Sequence, residues 1–183
     1  MKDRKNLEEL IRSLGEAKRE YHRLAFDEEH IPELGPPASP AQIAKLERLI
    51  GKPLPPSYRN FLELHNGWKD FSGGASLLAV EDHESEWVKE KIRYWSDLFE
   101  DDSKNPFAKG AIPILFGEDE NHFVVLDAET VQEDGEMEFV DYDYTEEHQR
   151  FNDFTSFLKY DLKIAKQLID NQRLGIPTDE EEG

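Results

Sequence analysis

Histidine and carboxylate side chains are the groups in this sequence whose spacing can be tested for metal or acid–base chemistry. The zinc-protease pattern His-Glu-x-x-His begins at His83 and Glu84, but Trp87 stands where the second histidine is needed. The six histidines are scattered singly, without the spacing of metal ligands. The acidic stretches at 117–121 and 141–144 lack the alternating ligands and central glycine of a calcium loop. We therefore expect no metal ion and no cofactor.

Motifs for nucleophilic or phosphate chemistry are also absent from the sequence. It has no cysteine, no Gly-x-Ser-x-Gly motif and no phosphate-binding loop of the Gly-x4-Gly-Lys-Ser/Thr kind. If the protein is an enzyme after all, the class to consider is a hydrolase that uses a carboxylate pair from the region 118–143. Such pairs arise by chance in a chain with 41 aspartates and glutamates. The prediction is that the protein is not an enzyme and has no catalytic residues.

The uneven distribution of charge is the strongest compositional feature. The formal net charge is −19, and 13 acidic residues without a single lysine or arginine lie between Gly110 and Gln149. Such a surface repels nucleic acid and anionic membranes and attracts a basic protein. The competing interpretation is that the acidic residues serve only solubility.

Three features of the sequence indicate where the protein resides. No apolar run approaches the roughly 20 residues of a membrane-spanning helix. The first residues, MKDRKNLEELIRSLGEAKRE, are too densely charged for a secretory signal. The absence of cysteine fits a reducing compartment. We expect a soluble, cytoplasmic protein that binds no membrane.

Helical patterns occupy the first third of the chain. Residues 4–25 form an amphipathic pattern with a heptad seam, which favours either packing on the protein's own domain or self-association. A proline-rich connection, HIPELGPPASP, follows. Ser39, Pro40 and Gln42 then predict a capped helix that ends at Gly51.

The stretch LPPSYRNFLELHNGW, residues 54–68, predicts a helix with a sharp start and a sharp stop. Pro55 or Pro56 begins it, and Asn66-Gly67 ends it because these residues tolerate positive φ. His65 lies beside the end of this helix, where a structural role is the expected one.

Strands dominate the middle of the chain, and a helix that starts near Asp153 closes it. Another helical pattern, HESEWVKEKIRYWSDLF, separates the first strand from the others. The strands are expected near residues 75–80, 111–116, 122–127 and 137–144. This segregation predicts an α+β fold with a mostly antiparallel central sheet and with N-terminal and C-terminal helices packed against it. The expected domains are a helix and linker over 1–38, an α+β domain over 39–175, and a disordered acidic tail over 176–183.

The order of these motifs resembles the SUKH superfamily, the fold of the cell-wall assembly regulator family and of many bacterial immunity proteins. AIPILFGEDENHFVVLD looks like the family's Ile-Pro strand, polar turn and second strand, and DFTSFLKYDL looks like its closing helix. The resemblance spans residues 39–165. The matching positions in the helical part are Ile43, Leu46, Glu47, Leu54, Pro55, Tyr58, Phe61, Leu62, Asn66 and Gly67.

The resemblance implies a binding protein without common catalytic residues. Bacterial members of the superfamily are typically cytoplasmic immunity proteins that neutralise a cognate polymorphic toxin, often a nuclease or deaminase. The resulting hypothesis is a monomer or weak dimer that occludes a toxin with a basic surface and does not bind nucleic acid directly. The alternative is a regulatory protein-interaction module, or an acidic mimic of nucleic acid that sequesters a basic host protein.

The expected binding surface combines carboxylates with aromatic anchors. Trp68 and Tyr142 are the candidate anchors, because desolvated aromatic rings concentrate binding energy; ordinary core packing is the competing interpretation for both. The candidate carboxylates are Glu118, Asp119, Glu120, Asp134, Glu136, Asp141 and Asp143.

Overall fold

The computed structural model describes residues 2–117 and 121–176. These residues contain five α-helices and a seven-stranded antiparallel sheet, which confirms the predicted α+β class. The helices are α1 Lys2–Phe26, α2 Pro40–Ile50, α3 Pro56–Leu64, α4 Glu86–Leu98 and α5 Phe154–Leu174. None of the helices in this part of the chain is long and apolar enough to span a membrane.

The sheet runs in sequence order, and every neighbouring pair of strands is antiparallel. The four predicted strands are confirmed as β3, β4, β5 and β6, while β1, β2 and β7 were not predicted. The strand bounds are β1 Glu33–Leu34, β2 Trp68–Ser72, β3 Ala75–Leu77, β4 Ile112–Phe116, β5 His122–Asp127, β6 Glu138–Asp143 and β7 Glu146–Phe151.

Contacts divide the chain into two compact units. The first holds the residues up to Pro32 together with those from Thr155 onward, and the second is Glu33–Phe154, which contains the whole sheet. The predicted domain boundary at residue 38 is a separate claim about independent domains, and it stays a prediction.

In the first unit, helix α1 packs on helix α5. Ala17, Ala165 and Ile169 form a small buried cluster between them. The Lys18 ammonium lies 2.7 Å from an Asp161 carboxylate oxygen, and Arg173 Nη2 donates to Glu20 Oε1 at 3.2 Å. The apolar seam of α1 therefore makes intramolecular contacts with α5, one of the two roles that its pattern favoured.

In the second unit, the ends of α2 have the predicted local chemistry. Ser39 Oγ accepts a hydrogen bond from Gln42 N, and Gln42 Oε1 accepts one from Ser39 N at 2.8 Å. At the other end, Gly51 has φ 75° and its N–H donates to Glu47 O. The capping box and the glycine stop are both confirmed.

The Asn66-Gly67 pair joins α3 to the sheet. Asn66 Oδ1 accepts from Val80 N at 2.8 Å, and Asn66 Nδ2 donates to Glu81 Oε2 at 2.8 Å. Gly67 has φ 87°, and a Cβ placed there would lie 2.9 Å from both Ala79 N and Leu77 O. The pair is therefore needed for the close approach of α3 to the segment that follows β3, which is a structural task.

Both faces of the sheet carry aromatic clusters. On one face, Phe139 contacts Tyr58 of α3 and Phe154, with ring centroids 5.8 and 5.3 Å away. On the other face, Phe123 contacts Trp95 of α4 at 4.8 Å. The central strands are thus fixed from two sides, and only their ends are exposed.

Candidate partner-binding surface

The candidate carboxylates that the structure describes lie in strand β6 and in the connection before it. Glu118, Asp119 and Glu120 lie outside the described residues. The other four are near β6: Asp134 and Glu136 precede it, Asp141 is inside it, and Asp143 ends it. A strand of this length spans roughly 17 Å, so the four do not form one cluster.

The C-terminal end of β6 carries one of the predicted carboxylates, Asp143. Asp143 is exposed and stands opposite His122 in the register of β5. The next residue, Tyr144, donates its backbone N–H to Asn121 O. Asn121 directly follows the acidic residues 118–120 in the sequence. Asp143 therefore lies beside the start of β5, next to the point where that acidic segment ends.

At the other end of β6, Glu136 has a structural function. Its carboxylate oxygens accept hydrogen bonds from Ser57 N at 2.8 Å and from Ser57 Oγ at 2.7 Å, at the first turn of α3. Ser57 Oγ in turn accepts from Phe154 N at 3.0 Å. Burial raises the pKa of Glu136, while the hydrogen bonds from Ser57 oppose the rise. Glu136 therefore connects three segments of the second unit.

Replacing Glu136 with alanine is expected to lower the free energy of unfolding by about 2 kcal/mol, because the buried Ser57 amide loses its acceptor. Urea unfolding measures the loss. Glu133→Ala, which removes an exposed carboxylate three residues earlier, is the control and should change stability by less than about 0.5 kcal/mol. Equal stability of the two variants would contradict this account of Glu136.

Asp141 and the two predicted aromatic anchors are buried. Asp141 is 8% exposed, and its Oδ1 lies 2.9 Å from His122 Nε2. Trp68 is 1% exposed and packs edge-on against Phe71. Tyr142 is 7% exposed and stacks on Phe123 with centroids 5.0 Å apart. These side chains belong to the core of the described structure, and a binding role for them stays a prediction.

The ion-pair network around Arg150 was not predicted, because strand β7 itself was not predicted. Arg150 forms a two-bond ion pair with Glu147, at 2.7 and 3.0 Å. Its Nη1 also donates to Glu138 at 2.6 Å and to Asp127 at 3.2 Å. The hydrogen bonds that Arg150 donates to carboxylates, chiefly to Glu147, raise the pKa of Arg150 despite partial burial. One cation thus faces three carboxylates from three adjacent strands, and the cluster remains net negative.

His83, from the incomplete metalloprotease pattern, is a buried histidine. It is 7% exposed, and neither ring nitrogen has a hydrogen-bond partner among the described residues. Burial lowers the pKa of His83 to about 4. Within residues 2–117 and 121–176, no group of three or more histidine, cysteine or acidic residues could hold a metal ion.

Burial of neutral His83 makes folding sensitive to acid. The pKa of an unfolded histidine is about 6.5, so the unfolded chain binds more protons as the pH falls from about 6.5 towards 4. The free energy of unfolding should therefore fall by about 2 kcal/mol on this residue's account between about pH 8 and about pH 5.

The test compares His83→Leu with the original chain by urea unfolding at both pH values. The difference in stability should shift by about 2 kcal/mol in favour of the variant at the lower pH. His148→Leu, at an exposed histidine, is the control and should show a much smaller shift. A pH-independent difference for His83→Leu would contradict the proposed burial of a neutral ring.

Comparison with known proteins gives a family match that spans most of the second unit. Residues 37–160 match the model of the SMI1 / KNR4 family (SUKH-1). The matched segment contains α2, α3, α4 and strands β2 to β7. No curated protein matches the chain.

Proposed function

The chain belongs to the SMI1 / KNR4 family (SUKH-1), and we propose that it is an immunity protein that binds and neutralises a cognate protein toxin. Membership of this family supports a toxin-immunity or regulatory interaction module in general. The toxin would be a cationic domain of the nuclease or deaminase type. The protein would act in the cytoplasm as a monomer or weak dimer, and it would inhibit by occlusion without chemistry of its own.

The observation that supports this proposal is the charge of the sheet's last three strands. No lysine or arginine occurs between Gly110 and Gln149, and the first arginine after that run, Arg150, is already engaged with Glu147, Glu138 and Asp127. The exposed carboxylates of this region therefore have excess negative charge to offer a partner. Among the described residues outside the Arg150 network, they are Glu129, Glu133, Asp134, Asp143 and Glu146.

The mechanism follows from the chemistry of the target. A toxin that acts on nucleic acid presents a basic surface to its substrate, and an acidic protein is attracted to that same surface. Complementary charge accelerates the encounter, while tight binding requires contacts that exclude water at the centre of the interface. Once bound, the immunity protein keeps nucleic acid away from the toxin's basic surface by steric exclusion and by charge repulsion.

The experiment is inhibition of a purified cationic toxin domain drawn from the genes that neighbour this one. One equivalent of the chain should suppress cleavage or deamination of nucleic acid at low salt, and excess nucleic acid should slow the onset of inhibition. No suppression at a large excess of the chain would contradict the proposal. If a basic host protein is bound instead, the alternative of a regulatory or mimicking module is supported.

A further inference from the structure

Near the end of β6, two exposed tyrosines contact a buried tryptophan of α4. Tyr94 of α4 is 54% exposed, and Tyr144, between β6 and β7, is 48% exposed. Both rings make edge contacts with Trp95, at centroid distances of 5.4 and 5.9 Å. Trp95 itself is only 2% exposed. The two tyrosines therefore form an exposed aromatic pair on one buried support.

The support behind this pair is rigid. Trp95 contacts Phe123 at 4.8 Å, and Phe123 stacks on Tyr142 at 5.0 Å with an angle of 5° between the rings. Rings held by a close-packed core lose little conformational entropy when a partner binds. Such rings are the kind of side chain on which binding energy concentrates in protein interfaces.

The backbone of Tyr144 gives an independent reason to look for a ligand. Its φ is 56°, in the left-handed region, where a residue other than glycine costs about 1–2 kcal/mol. Asp143 pairs with Glu146, so Tyr144 opens a two-residue connection in which glycine, asparagine or aspartate is favoured. A half-exposed tyrosine recovers little of that cost by burial. Tyr144 therefore carries backbone strain that its edge contact with Trp95 has to offset, and strain of this kind is typical of binding sites.

The surrounding charge indicates what the pair binds. Asp143 and Glu146 flank Tyr144 in the sequence and are exposed, and Asn121, which bonds its amide, directly follows three acidic residues. The Tyr94 ring already has a cation of its own helix beside it, since Lys91 Nζ lies 5.9 Å from the ring centroid, so the acidic side of the pair is at Tyr144. Tyrosine faces attract cations, and the planar guanidinium group of arginine stacks on them best.

We propose that Tyr144, which shares the support of Trp95 with Tyr94, is the anchor site for an arginine side chain of a basic protein partner. The inference rests on the proposed function for the kind of partner, and it adds the surface and the side chain that is recognised. The guanidinium group stacks on the exposed face of Tyr144, and the negative charge of the surrounding acidic region favours the cation.

The probe is a short peptide of alternating glycine and arginine, with lysine and citrulline peptides of the same length for comparison. Titration calorimetry on the full chain at low salt measures the affinities. Tyr144→Asn should weaken arginine-peptide binding about threefold or more. The double variant that also carries Tyr94→Asn should bind the peptide more weakly still. The lysine peptide should bind less tightly than the arginine peptide, and the neutral citrulline peptide should bind far less.

Stability separates a binding role from a structural role. Asparagine tolerates the left-handed region, so Tyr144→Asn should keep or raise the free energy of unfolding while affinity falls. Val131→Asn, which removes a side chain of similar exposure in the connection between β5 and β6, is the matched control. Its affinity for the arginine peptide should be unchanged.

Several results would overturn the anchor site. Equal arginine-peptide affinity for Tyr144→Asn and the original chain would do so, as would equal binding of the citrulline peptide. Concentration-dependent dimerisation that Tyr144→Asn abolishes would assign the tyrosines to a second copy of the chain. If the toxin is inhibited but the peptide ignores Tyr144, the anchor site fails alone. If the peptide depends on Tyr144 but no toxin is inhibited, the proposed function fails alone.

Discussion

Replacing Glu118, Asp119, Glu120 and Asp143 with lysine is expected to slow association with the toxin about 100-fold at low salt. The change shifts the charge by eight units where Asp143 is exposed beside Asn121, the residue that follows the acidic segment. Attraction to a basic surface becomes repulsion, so the encounter loses its electrostatic acceleration. Stopped-flow mixing of the two purified proteins measures the rate.

The control variant changes the net charge by the same amount at other exposed positions. Glu16, Glu28, Glu29 and Glu100 are exposed, and their replacement with lysine alters the net charge equally. If only net charge matters, the two variants will associate equally slowly, and the localised surface is wrong. If location matters, the control will associate faster, and the gap will narrow at high salt because exposed charges are then screened.

Gly67→Ala is expected to have the largest effect on stability, a loss of about 3 kcal/mol or more. Two costs add at this residue. Its φ of 87° disfavours a side chain, and the new Cβ would lie 2.9 Å from backbone atoms of Leu77 and Ala79, which cannot move without displacing the segment after β3. Thermal and urea unfolding measure the loss.

Comparison with Gly51→Ala separates the cost of the close contact from the cost of the backbone angle. Gly51 has a similar φ of 75°, yet a Cβ there would meet no atom within 4 Å. Its replacement should therefore cost only about 1 kcal/mol, the conformational part alone. If the two alanine variants are equally stable, the close approach at Gly67 has no energetic importance.

Local sequence signals predicted the helices and the central strands well. The capping box at Ser39 and the glycine stop at Gly51 depend on neighbouring residues alone, so they can be found in one sequence. Strands β4, β5 and β6 have continuous buried runs, which the apolar residues reveal.

The missed strands lack such signals. In β7, the first five residues are exposed, so no apolar alternation exists to be recognised. In β2, the pairing register shifts between Trp68 and Ser72, and Asp70 has φ 49°. Trp68 and Phe71 are therefore both buried at a spacing of three residues, which does not fit a regular strand.

The candidate surface was less predictable than the fold. Charge along the chain indicated an acidic region, but not which carboxylates are exposed. Asp141 is buried beside His122, and Glu136 is occupied by Ser57, because these contacts join residues that are distant in the sequence or on another strand. Tyr144 was overlooked because its unusual feature is a backbone angle, which the residue type does not reveal.

Co-expression with a cationic toxin domain drawn from the neighbouring genes tests the central claim most directly. Cells that produce the toxin domain together with this chain should survive, and the two proteins should co-purify at low salt. The variant with lysine at residues 118, 119, 120 and 143 should fail to protect although it folds. If cells die equally with and without the original chain, and the two proteins do not co-purify, the immunity function is contradicted.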